Sequence, residues 1–544
     1  MPGEPPNYPH GPYSDLHRAV ASGCTRRITM ELDTGIDLNI ASDPAKDTPL
    51  IIACRHGELA LVQLLLDRGA DTERATHEGR TALFSSLHYP RIAELLLRHG
   101  ANHGAQDVHG TTPLLLAATG NYGGAGQAVM EMLLQHGANP DTADNSGFTP
   151  LHAVSYGWAY GRVDAMKMLI EHRVDVNAVG KKHNNTPLHD ICMCIGMVDV
   201  TELVPMAHLL VKNGANLRAT NVYGATPLHQ LVTREKVCCA ELLDVAQLLV
   251  DGGADVNAAN SDQCTALHVT SFSSAHLDIW KLLVRHGADL EVRGMDGHTP
   301  LHIAASRQCC AFMSLILGAG AGVNARDRPD GETPLFLAAR LGRLWSVNVL
   351  LRFKADALMP TQFENRVVKW LPLDVAARRG HLAVVRDLVQ QVGLEGCGGP
   401  SGGADALVFT ASEGRLDIMA LLLDAGVVDN GDGLRSAIKA GHSKSVRLLM
   451  ERRAGDYADY LINRGRIESA AEEETMYGLK GLRRLLMQKE AVTAISWAWP
   501  AGEGGRGIRG SKKKTKPSTA LATMMPLLRR RAARRGMVLR ALFR

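Results

Sequence analysis

The residues with the most obvious chemical potential lie in one short segment. His189, Cys192 and Cys194 place three potential zinc ligands within six residues of the chain. On a helix, positions 189 and 192 share a face while 194 points away from 192, so one ion would not readily bind all three. Asp190 beside His189 suggests a catalytic dyad, but adjacent helical residues point about 100° apart. The sequence therefore predicts neither a metal site nor a dyad here.

Two glycine-rich segments match enzyme motifs only in their letters. Residues 399–403 satisfy the G-x-S-x-G nucleophile pattern, which functions on a strained strand-to-helix turn. Here the pattern lies in a glycine-rich stretch with no strand before it, which favours a flexible linker. Residues 505–512 resemble a phosphate-binding loop, but Ser511 stands where lysine is needed. We therefore predict that the chain is not an enzyme and binds no cofactor.

Most other histidines of interest belong to a repeated four-residue motif, which starts with a threonine that we call the cap threonine. Threonine can accept a hydrogen bond from the first turn of a helix, and proline at the next position loses nothing there. The residue three after the cap can reach back toward it, as in a capping box. This residue is histidine in five repeats, so these histidines are predicted to be structural: His152, His189, His229, His268 and His302. The nine cap threonines are Thr48, Thr81, Thr112, Thr149, Thr186, Thr226, Thr265, Thr299 and Thr333.

A second motif ends each unit. Residues 64–71 read Leu-Leu-Leu-Asp-Arg-Gly-Ala-Asp, and close variants follow the other cap threonines. The glycine supplies the left-handed residue that stops a helix. Each unit is thus predicted to be a helix, a tight turn, a second helix and a turn. A period of 31 to 40 residues between cap threonines is typical of a solenoid of stacked units.

These two motifs resemble those of ankyrin repeats. The resemblance covers residues 13–454, in about 13 repeats with atypical ends, and it implies an all-α solenoid of paired antiparallel helices joined by β-hairpin-like turns. Residues 1–12 are then an N-terminal tail, 455–498 a helical extension, and 499–544 a basic, mostly disordered tail. Ankyrin repeats have no intrinsic chemistry. The resemblance implies protein–protein recognition through a concave surface formed by the turn tips and the first helices.

Composition and cysteine positions agree with an intracellular protein, cytoplasmic or nuclear. No apolar run reaches the 18 or so residues that a membrane-spanning helix needs. The first residues lack the basic-then-apolar pattern of a secretory signal. Cys54 and Cys192 fall six residues after their cap threonines, where other repeats have alanine, which predicts a small buried slot. Free buried thiols favour a reducing compartment.

Positive charge is concentrated at the C-terminal end. The chain has a net charge of +4, and residues 511–544 contain 11 basic and no acidic residues, which leaves −7 for residues 1–510. The repeats are therefore not expected to contact nucleic acid, whereas the tail could contact polyanions or serve as a nuclear-import signal. The residues concerned are Lys512, Lys513, Lys514, Lys516, Arg529, Arg530, Arg531, Arg534 and Arg535. Alternatively, residues 527–543 lie on an acidic membrane surface, or the tail is an extension without function.

Four consecutive repeats carry extra residues and extra aromatic rings. The cap threonine and the end of the second helix are 24 to 28 residues apart in the repeats that begin at Thr112, Thr149, Thr186 and Thr226, against 19 to 22 in the others counted. Partly solvated rings are favoured anchors at interfaces, although rings can also fold back over their own helices. The candidates for partner binding are Tyr122, Phe148, Tyr156, Trp158, Tyr160 and, beside a later turn, Tyr223.

The leading hypothesis is a scaffold that binds a partner protein through the concave face, centred on residues 112–264. The main alternative is a substrate adaptor for a ubiquitin ligase, in which the repeats select the client and a terminal segment docks the ligase. Only about 13 residues precede the repeats, and residues 467–492 contain no recognisable docking motif. A third hypothesis, catalysis by the repeats themselves, has no motif in its support.

Overall fold

The computed structural model describes residues 15–23, 25–42, 45–120, 122–156, 161–194, 200–233, 239–270, 276–328, 330–361, 370–393, 404–429 and 431–452. Within these ranges all regular secondary structure is helical. The predicted N-terminal tail, the extension at 455–498 and the basic tail lie outside the described residues, as do Trp158 and Tyr160.

The described residues form 26 helices, in which odd numbers are the first and even numbers the second helix of each successive pair. They are α1 (Asp15–Ala21), α2 (Thr25–Asp33), α3 (Pro49–His56), α4 (Leu59–Asp67), α5 (Ala82–Ser85), α6 (Pro90–Arg98), α7 (Pro113–Ala118), α8 (Gly123–Gln135), α9 (Pro150–Tyr156), α10 (Arg162–Glu171), α11 (Pro187–Cys194), α12 (Val200–Lys212), α13 (Pro227–Val232), α14 (Cys239–Asp251), α15 (Ala266–Val269), α16 (Leu277–Arg285), α17 (Pro300–Ser306), α18 (Cys310–Gly318), α19 (Pro334–Arg340), α20 (Leu344–Arg352), α21 (Pro372–Arg379), α22 (Leu382–Val392), α23 (Ala404–Glu413), α24 (Leu416–Asp424), α25 (Asp432–Lys439) and α26 (Ser443–Arg452).

Two units divide these helices. The first comprises residues 1–303 and 314–321, and the second comprises 304–313 and 322–544. Within the first unit, each first helix from α1 to α13 packs against the next first helix, and each second helix from α4 to α14 packs against the next second helix. The second unit repeats this arrangement from α19 to α25 and from α20 to α26. This layering is the predicted solenoid packing.

The cap threonines begin the first helices as predicted. The hydroxyl of Thr48 accepts a hydrogen bond from the backbone N–H of Ile51 (3.3 Å). The hydroxyls of Thr112 and Thr333 likewise accept from the backbone N–H of the residue three positions later. In the histidine repeats, the backbone N–H of Thr149 donates to Nδ1 of His152 (3.3 Å). The structural role of these histidines is thereby confirmed.

The same histidines also join neighbouring repeats, which the sequence motif did not reveal. Nε2 of His152 donates to the carbonyl of Asn185 (3.1 Å), and Nε2 of His229 donates to the carbonyl of Cys264 (3.0 Å). Since a carbonyl can only accept, Nε2 carries the proton and Nδ1 is left to accept from the threonine. Each of these neutral rings therefore fixes one helix start and one contact with the following repeat.

The turns between repeats form a row of tips linked by backbone hydrogen bonds. Val108 donates to the carbonyl of Glu78 (2.9 Å), and the same bond recurs at Asn145, Lys181, Val222, Ser261 and Met295 with the preceding tip. Gly147 has a φ of +77°, and a Cβ there would lie 2.6 Å from the backbone nitrogen of Lys181. Glycine is required at this tip because the neighbouring backbone approaches so closely.

Asparagine side chains add a second link between successive repeats. Oδ1 of Asn257 accepts from the backbone N–H of Asp289 (2.7 Å), and its Nδ2 donates to the carbonyl of Gly287 (3.1 Å). We expect Asn257→Ala to lower the free energy of unfolding by about 1 kcal/mol, because two exposed hydrogen bonds are lost. Urea denaturation measures this change. Asn139 caps only its own turn (3.0 Å to Asp141), so Asn139→Ala should cost less than about 0.5 kcal/mol. Equal losses would contradict the inter-repeat role.

The interior of each repeat consists of small and aliphatic side chains. Leu65, Leu83 and Leu96 are fully buried. Cys54 and Cys192 are also fully buried, which confirms the predicted slot, and burial raises the pKa of both thiols. Among the described residues, no helix combines the length and the apolar character that crossing a membrane requires.

Candidate functional site

Two positions of each repeat lie on the same side of it, the residue immediately before the cap position and the residue seven after it. Within each unit, we call the surface that these residues form the palm. In the repeat of Thr48 these residues are Asp47 and Arg55, which form an ion pair (2.8 Å). In the repeat of Thr333 they are Glu332 and Arg340 (3.0 Å). In the next repeat, where Leu371 holds the cap position, the guanidinium of Arg378 lies 4.7 Å from the ring centroid of Trp370.

Tyr122 contributes a half-buried ring next to this surface. It lies in the turn between α7 and α8, and its ring centroid is 4.5 Å from that of His88 in an edge-to-face contact. Burial raises the pKa of Tyr122, while the positive charge of Arg80 opposes this shift. His88 and the neighbouring Tyr89, which is 36% exposed, were not predicted. Their distance of seven and eight residues from Thr81 is the signal that would have identified them.

Among the described residues of the predicted region, Tyr156 has the most exposed ring on the palm. It ends α9, seven residues after Thr149, and 43% of its surface is exposed. Phe148 precedes the same cap threonine, but it is half-buried, with its ring centroid 5.3 Å from that of His152. Phe148 therefore folds over its own helix, which is the alternative arrangement for such a ring.

Tyr223 belongs to the row of tips. It is 63% exposed; its backbone N–H donates to Asn221 Oδ1 (2.9 Å), and its carbonyl accepts from Ser261 (2.9 Å). The structure thus brings Phe148 and Tyr156 into one repeat and Tyr122 into the repeat before it. Tyr223 makes no ring contact with these three in the part of the chain that the structure describes.

A buried arginine holds the chain on both sides of residues 157–160. Arg162, at the start of α10, is only 4% exposed. Its Nε donates to the carbonyl of Val154 (2.8 Å) and its Nη2 donates to that of Ser155. The carboxylate of Glu202, from α12, accepts from the backbone N–H groups of Gly161 (2.8 Å) and Arg162 (3.2 Å). Burial lowers the pKa of Arg162, and the neighbouring Cys194 and Glu202 oppose that shift.

In the four longer repeats, the extra residues mainly lengthen the second helices. Helices α8, α12 and α14 each have 13 residues, whereas α4, α6 and α16 each have nine. Between α10, α12 and α14 lies a groove with a volume of about 600 Å³. Its apolar lining includes Val163, Leu209 and Leu248, and Lys167 and Lys212 contribute positive charge.

His189, which lies close in sequence to Cys192 and Cys194, has a structural role. His189 accepts from the backbone N–H of Thr186 at Nδ1 (3.2 Å) and donates to the carbonyl of Ala225 at Nε2 (3.0 Å). Both ring nitrogens are therefore used. Asp190 binds the side chain of Asn185 (3.0 Å), apart from His189. Within the described ranges, no group of three or more potential ligands is arranged to hold a metal ion.

Comparison with known protein families agrees with these features. A family model for ankyrin repeats in sets of three matches overlapping segments at residues 16–107, 85–180, 124–205, 204–293, 236–327 and 293–361. Together these segments cover more than half of the chain. The chain belongs to the ankyrin-repeat family. Ankyrin repeats are protein-interaction modules, and this family is generally non-enzymatic.

Several curated proteins resemble parts of this ankyrin-repeat chain. The B-cell lymphoma 3 protein homolog of Mus musculus is 34% identical over 104 residues, 19% of this chain and 23% of that protein. The probable E3 ubiquitin-protein ligase XBOS33 of Oryza sativa is 39% identical over 87 residues, 15% of this chain and 16% of that protein. Ankyrin repeat and SOCS box protein 16 of Mus musculus is 32% identical over 109 residues, which are 18% of this chain and 24% of that protein. The chain thus spans about a quarter or less of the length of each of these relatives.

Proposed function

We propose that this ankyrin-repeat chain is a non-enzymatic scaffold that binds a partner protein through the palm and tips of residues 112–264. The observation that carries the proposal is Tyr156, a palm ring that keeps 43% of its surface exposed. Tyr122 and Phe148 lie nearby in sequence, and Tyr223 is exposed on a tip of the same region. Rings that are partly solvated in the free protein are favoured anchors in interfaces. Trp158 and Tyr160, from the same stretch of sequence, belong to this proposal.

Rigid presentation supports this function. Arg162 and Glu202 fix the chain at residues 154–155 and at residues 161–162. A surface that is ordered before binding loses little conformational entropy in the complex. The buried thiols of Cys54 and Cys192, which form no disulfide bond, support an intracellular place of action, in the cytoplasm or the nucleus.

Truncation of the palm rings tests this function. We expect the double variant Tyr122→Ala, Tyr156→Ala to recover at least about tenfold less partner protein, because truncating interface anchors typically costs 2 kcal/mol or more. Affinity purification with quantitative mass spectrometry on the full chain measures the recovery. Trp345, on α20, is 67% exposed and provides the matched control, since Trp345→Ala removes an exposed ring elsewhere. Unchanged recovery with the double variant would overturn the proposed site.

A second candidate function is substrate adaptor for a ubiquitin ligase. The observation in its favour is that two of the similar proteins carry names that refer to an E3 ubiquitin ligase and to a SOCS box. In this case a ligase scaffold should co-purify with the full chain and with the Tyr122→Ala, Tyr156→Ala variant alike, while the client is lost only with the variant. Absence of any ligase subunit from both preparations would contradict the adaptor function and favour the scaffold function.

A further inference from the structure

The groove between α10, α12 and α14 belongs to a different surface from the palm. Its lining residues are carried by second helices, whereas the palm residues lie at the starts and ends of first helices. Within the first unit, the second helices from α4 to α14 pack against one another in a layer of their own. The groove therefore uses none of the residues that we assign to the palm.

Apolar side chains form most of this groove and remain in contact with solvent. Val163, Leu209, Val211 and Leu248 are only partly buried, and Pro205 is exposed. Further burial of these side chains would be favourable, because each still presents apolar surface to water. The volume of about 600 Å³ lies within the range of about 300–1,000 Å³ that is usual for binding sites. The groove is thus large enough to receive several side chains of a partner.

Positive charge borders the apolar surface. The ionisable side chains in the lining are Lys167, His208 and Lys212, all of them exposed and basic. Lys167 pairs with Asp164 on its own helix (2.9 Å), whereas Lys212 forms no ion pair with any described residue. Residues 1–510 as a whole carry a charge of −7, so this border is a local exception. Charge complementarity favours an acidic occupant.

The backbone at the ends of α12 and α14 offers no free acceptor to an extended peptide. The carbonyl of Leu209 accepts from the N–H of Asn213 (3.1 Å), and that of Leu248 accepts from the N–H of Gly252 (3.0 Å). Extended peptides bind by adding a strand to an open sheet edge, and proline-rich peptides bind grooves lined by aromatic rings. The walls of this groove are helices, and its lining contains no Phe, Tyr or Trp. The occupant must therefore satisfy its own backbone groups, which an α-helix does.

We propose that this groove binds an amphipathic α-helix of a partner protein, with apolar side chains in the groove and acidic side chains beside Lys167 and Lys212. Apolar residues at i, i+3 or i+4, and i+7 form the matching face of such a helix. The lysine stems pack against that face while their charged ends reach the carboxylates at its edge. This inference goes beyond the proposed function, because a helix bound here leaves the palm free for another partner.

A display library of helical peptides tests the groove on the immobilised full chain. The peptides share an alanine-rich helical scaffold in which one face and both its edges are randomised. Selection against the double variant Lys167→Glu, Lys212→Glu should enrich peptides with apolar residues at helical spacing and Asp or Glu at the edges. We expect the double variant to retain these peptides about tenfold less, because two attractions become repulsions.

Lys281 and Arg285 of α16 provide the matched control. They hold the same positions before the end of their helix as Lys167 and Lys212 hold in theirs. Like Lys167, Lys281 pairs with an aspartate three residues earlier, Asp278 (2.8 Å). The variant Lys281→Glu, Arg285→Glu makes the same change of charge outside the groove, so it should retain the peptides as the unmodified chain does. Urea denaturation establishes that both double variants fold.

Three results would overturn this inference. Equal retention by the unmodified chain and by Lys167→Glu, Lys212→Glu would exclude the groove. Selected peptides without helical spacing of apolar residues, or without acidic edges, would exclude the proposed occupant. Light scattering should find the free chain monomeric, and a dimer that Lys167→Glu, Lys212→Glu dissociates would make a second copy of the chain the occupant instead.

The palm variant separates this inference from the proposed function. Tyr122→Ala, Tyr156→Ala should leave retention of the selected peptides unchanged, because both rings belong to the palm side of the repeats. Loss of retention in this variant, with none in Lys167→Glu, Lys212→Glu, would assign the peptides to the palm and exclude the groove.

Discussion

Replacement of Arg162 by methionine should lower the free energy of unfolding by about 3 kcal/mol. The guanidinium satisfies two carbonyls at the end of α9, those of Val154 and Ser155, and both residues are almost completely buried. Water does not reach these acceptors when the guanidinium is removed. Methionine fills much of the volume of the arginine stem but donates no hydrogen bond.

Removal of a buried charge is sometimes neutral, because its desolvation cost disappears with it. Neutrality requires that the former partners be replaced or removed as well. Here the partners are backbone carbonyls of a helix end, which no side-chain substitution can remove. The loss of their donor therefore outweighs the relief from desolvation. Chemical denaturation gives the total cost, and hydrogen exchange should show the largest loss of protection in α9 and α10.

Arg218→Met is the matched control for this prediction. Arg218 belongs to the same unit and is exposed, so its replacement should change the free energy of unfolding by less than about 0.5 kcal/mol. A change of similar size in both variants would mean that the hydrogen bonds of Arg162 contribute little to the stability of α9 and α10. Partner recovery with Arg162→Met should also fall, because the palm beside Tyr156 loses its rigid base.

The fold could be predicted from the sequence because its determinants are local. A cap threonine, the proline after it and the glycine that ends the second helix each act within a few residues, and each recurs with the repeat. The histidines were correctly assigned to the caps for the same reason. Their second bond, such as that from His189 to the carbonyl of Ala225, joins residues 36 positions apart and left no local signal.

The site was less predictable, because its contacts connect different elements. Arg162 donates to the end of α9 across residues 157–160, and Glu202 accepts from the start of α10, which belongs to the preceding repeat. The ion pairs of Asp47 with Arg55 and of Glu332 with Arg340 could have been predicted from the sequence, since their spacing relative to the cap position is constant. The burial of Asp190 could not be predicted, because it depends on how α11 packs against its neighbours.

Four buried histidines should each reduce the stability of the array as the pH drops below about 6.5. Burial lowers the pKa of His152, His189, His229 and His268, in the case of His189 from 6.5 to about 4. The unfolded chain therefore binds protons near pH 6.5 that the folded chain does not, so these histidines stabilise the fold fully only above that pH. Their contribution is lost as the pH falls, at about 1.4 kcal/mol per pH unit for His189 down to about pH 4.

Asp190 and Asp374 act in the opposite direction. Burial raises the pKa of each from 3.8 to about 7, so the folded chain binds protons between these values that the unfolded chain releases. Their stabilising effect is present at acid pH and is lost as the pH rises toward 7. The two aspartates therefore oppose the histidines over the same pH range, and substitution separates the two contributions. Urea denaturation of the unmodified chain and of single-site variants at pH 7.5, 6.0 and 5.0 measures them.

Two substitutions with opposite expected effects on the free energy of unfolding distinguish the histidines from the aspartates. Glutamine is an ordinary capping-box residue, so His189→Gln retains a contact with Thr186 but loses the titrating ring and its bond to Ala225. We expect it to be about 2 kcal/mol less stable than the unmodified chain at pH 7.5, with a difference that shrinks by about 1.4 kcal/mol per pH unit below 6.5. Asp190→Asn should be more stable at pH 8 and lose that advantage toward pH 4, because the amide resembles the protonated acid. Parallel pH profiles for all three proteins would show that neither buried group is linked to folding.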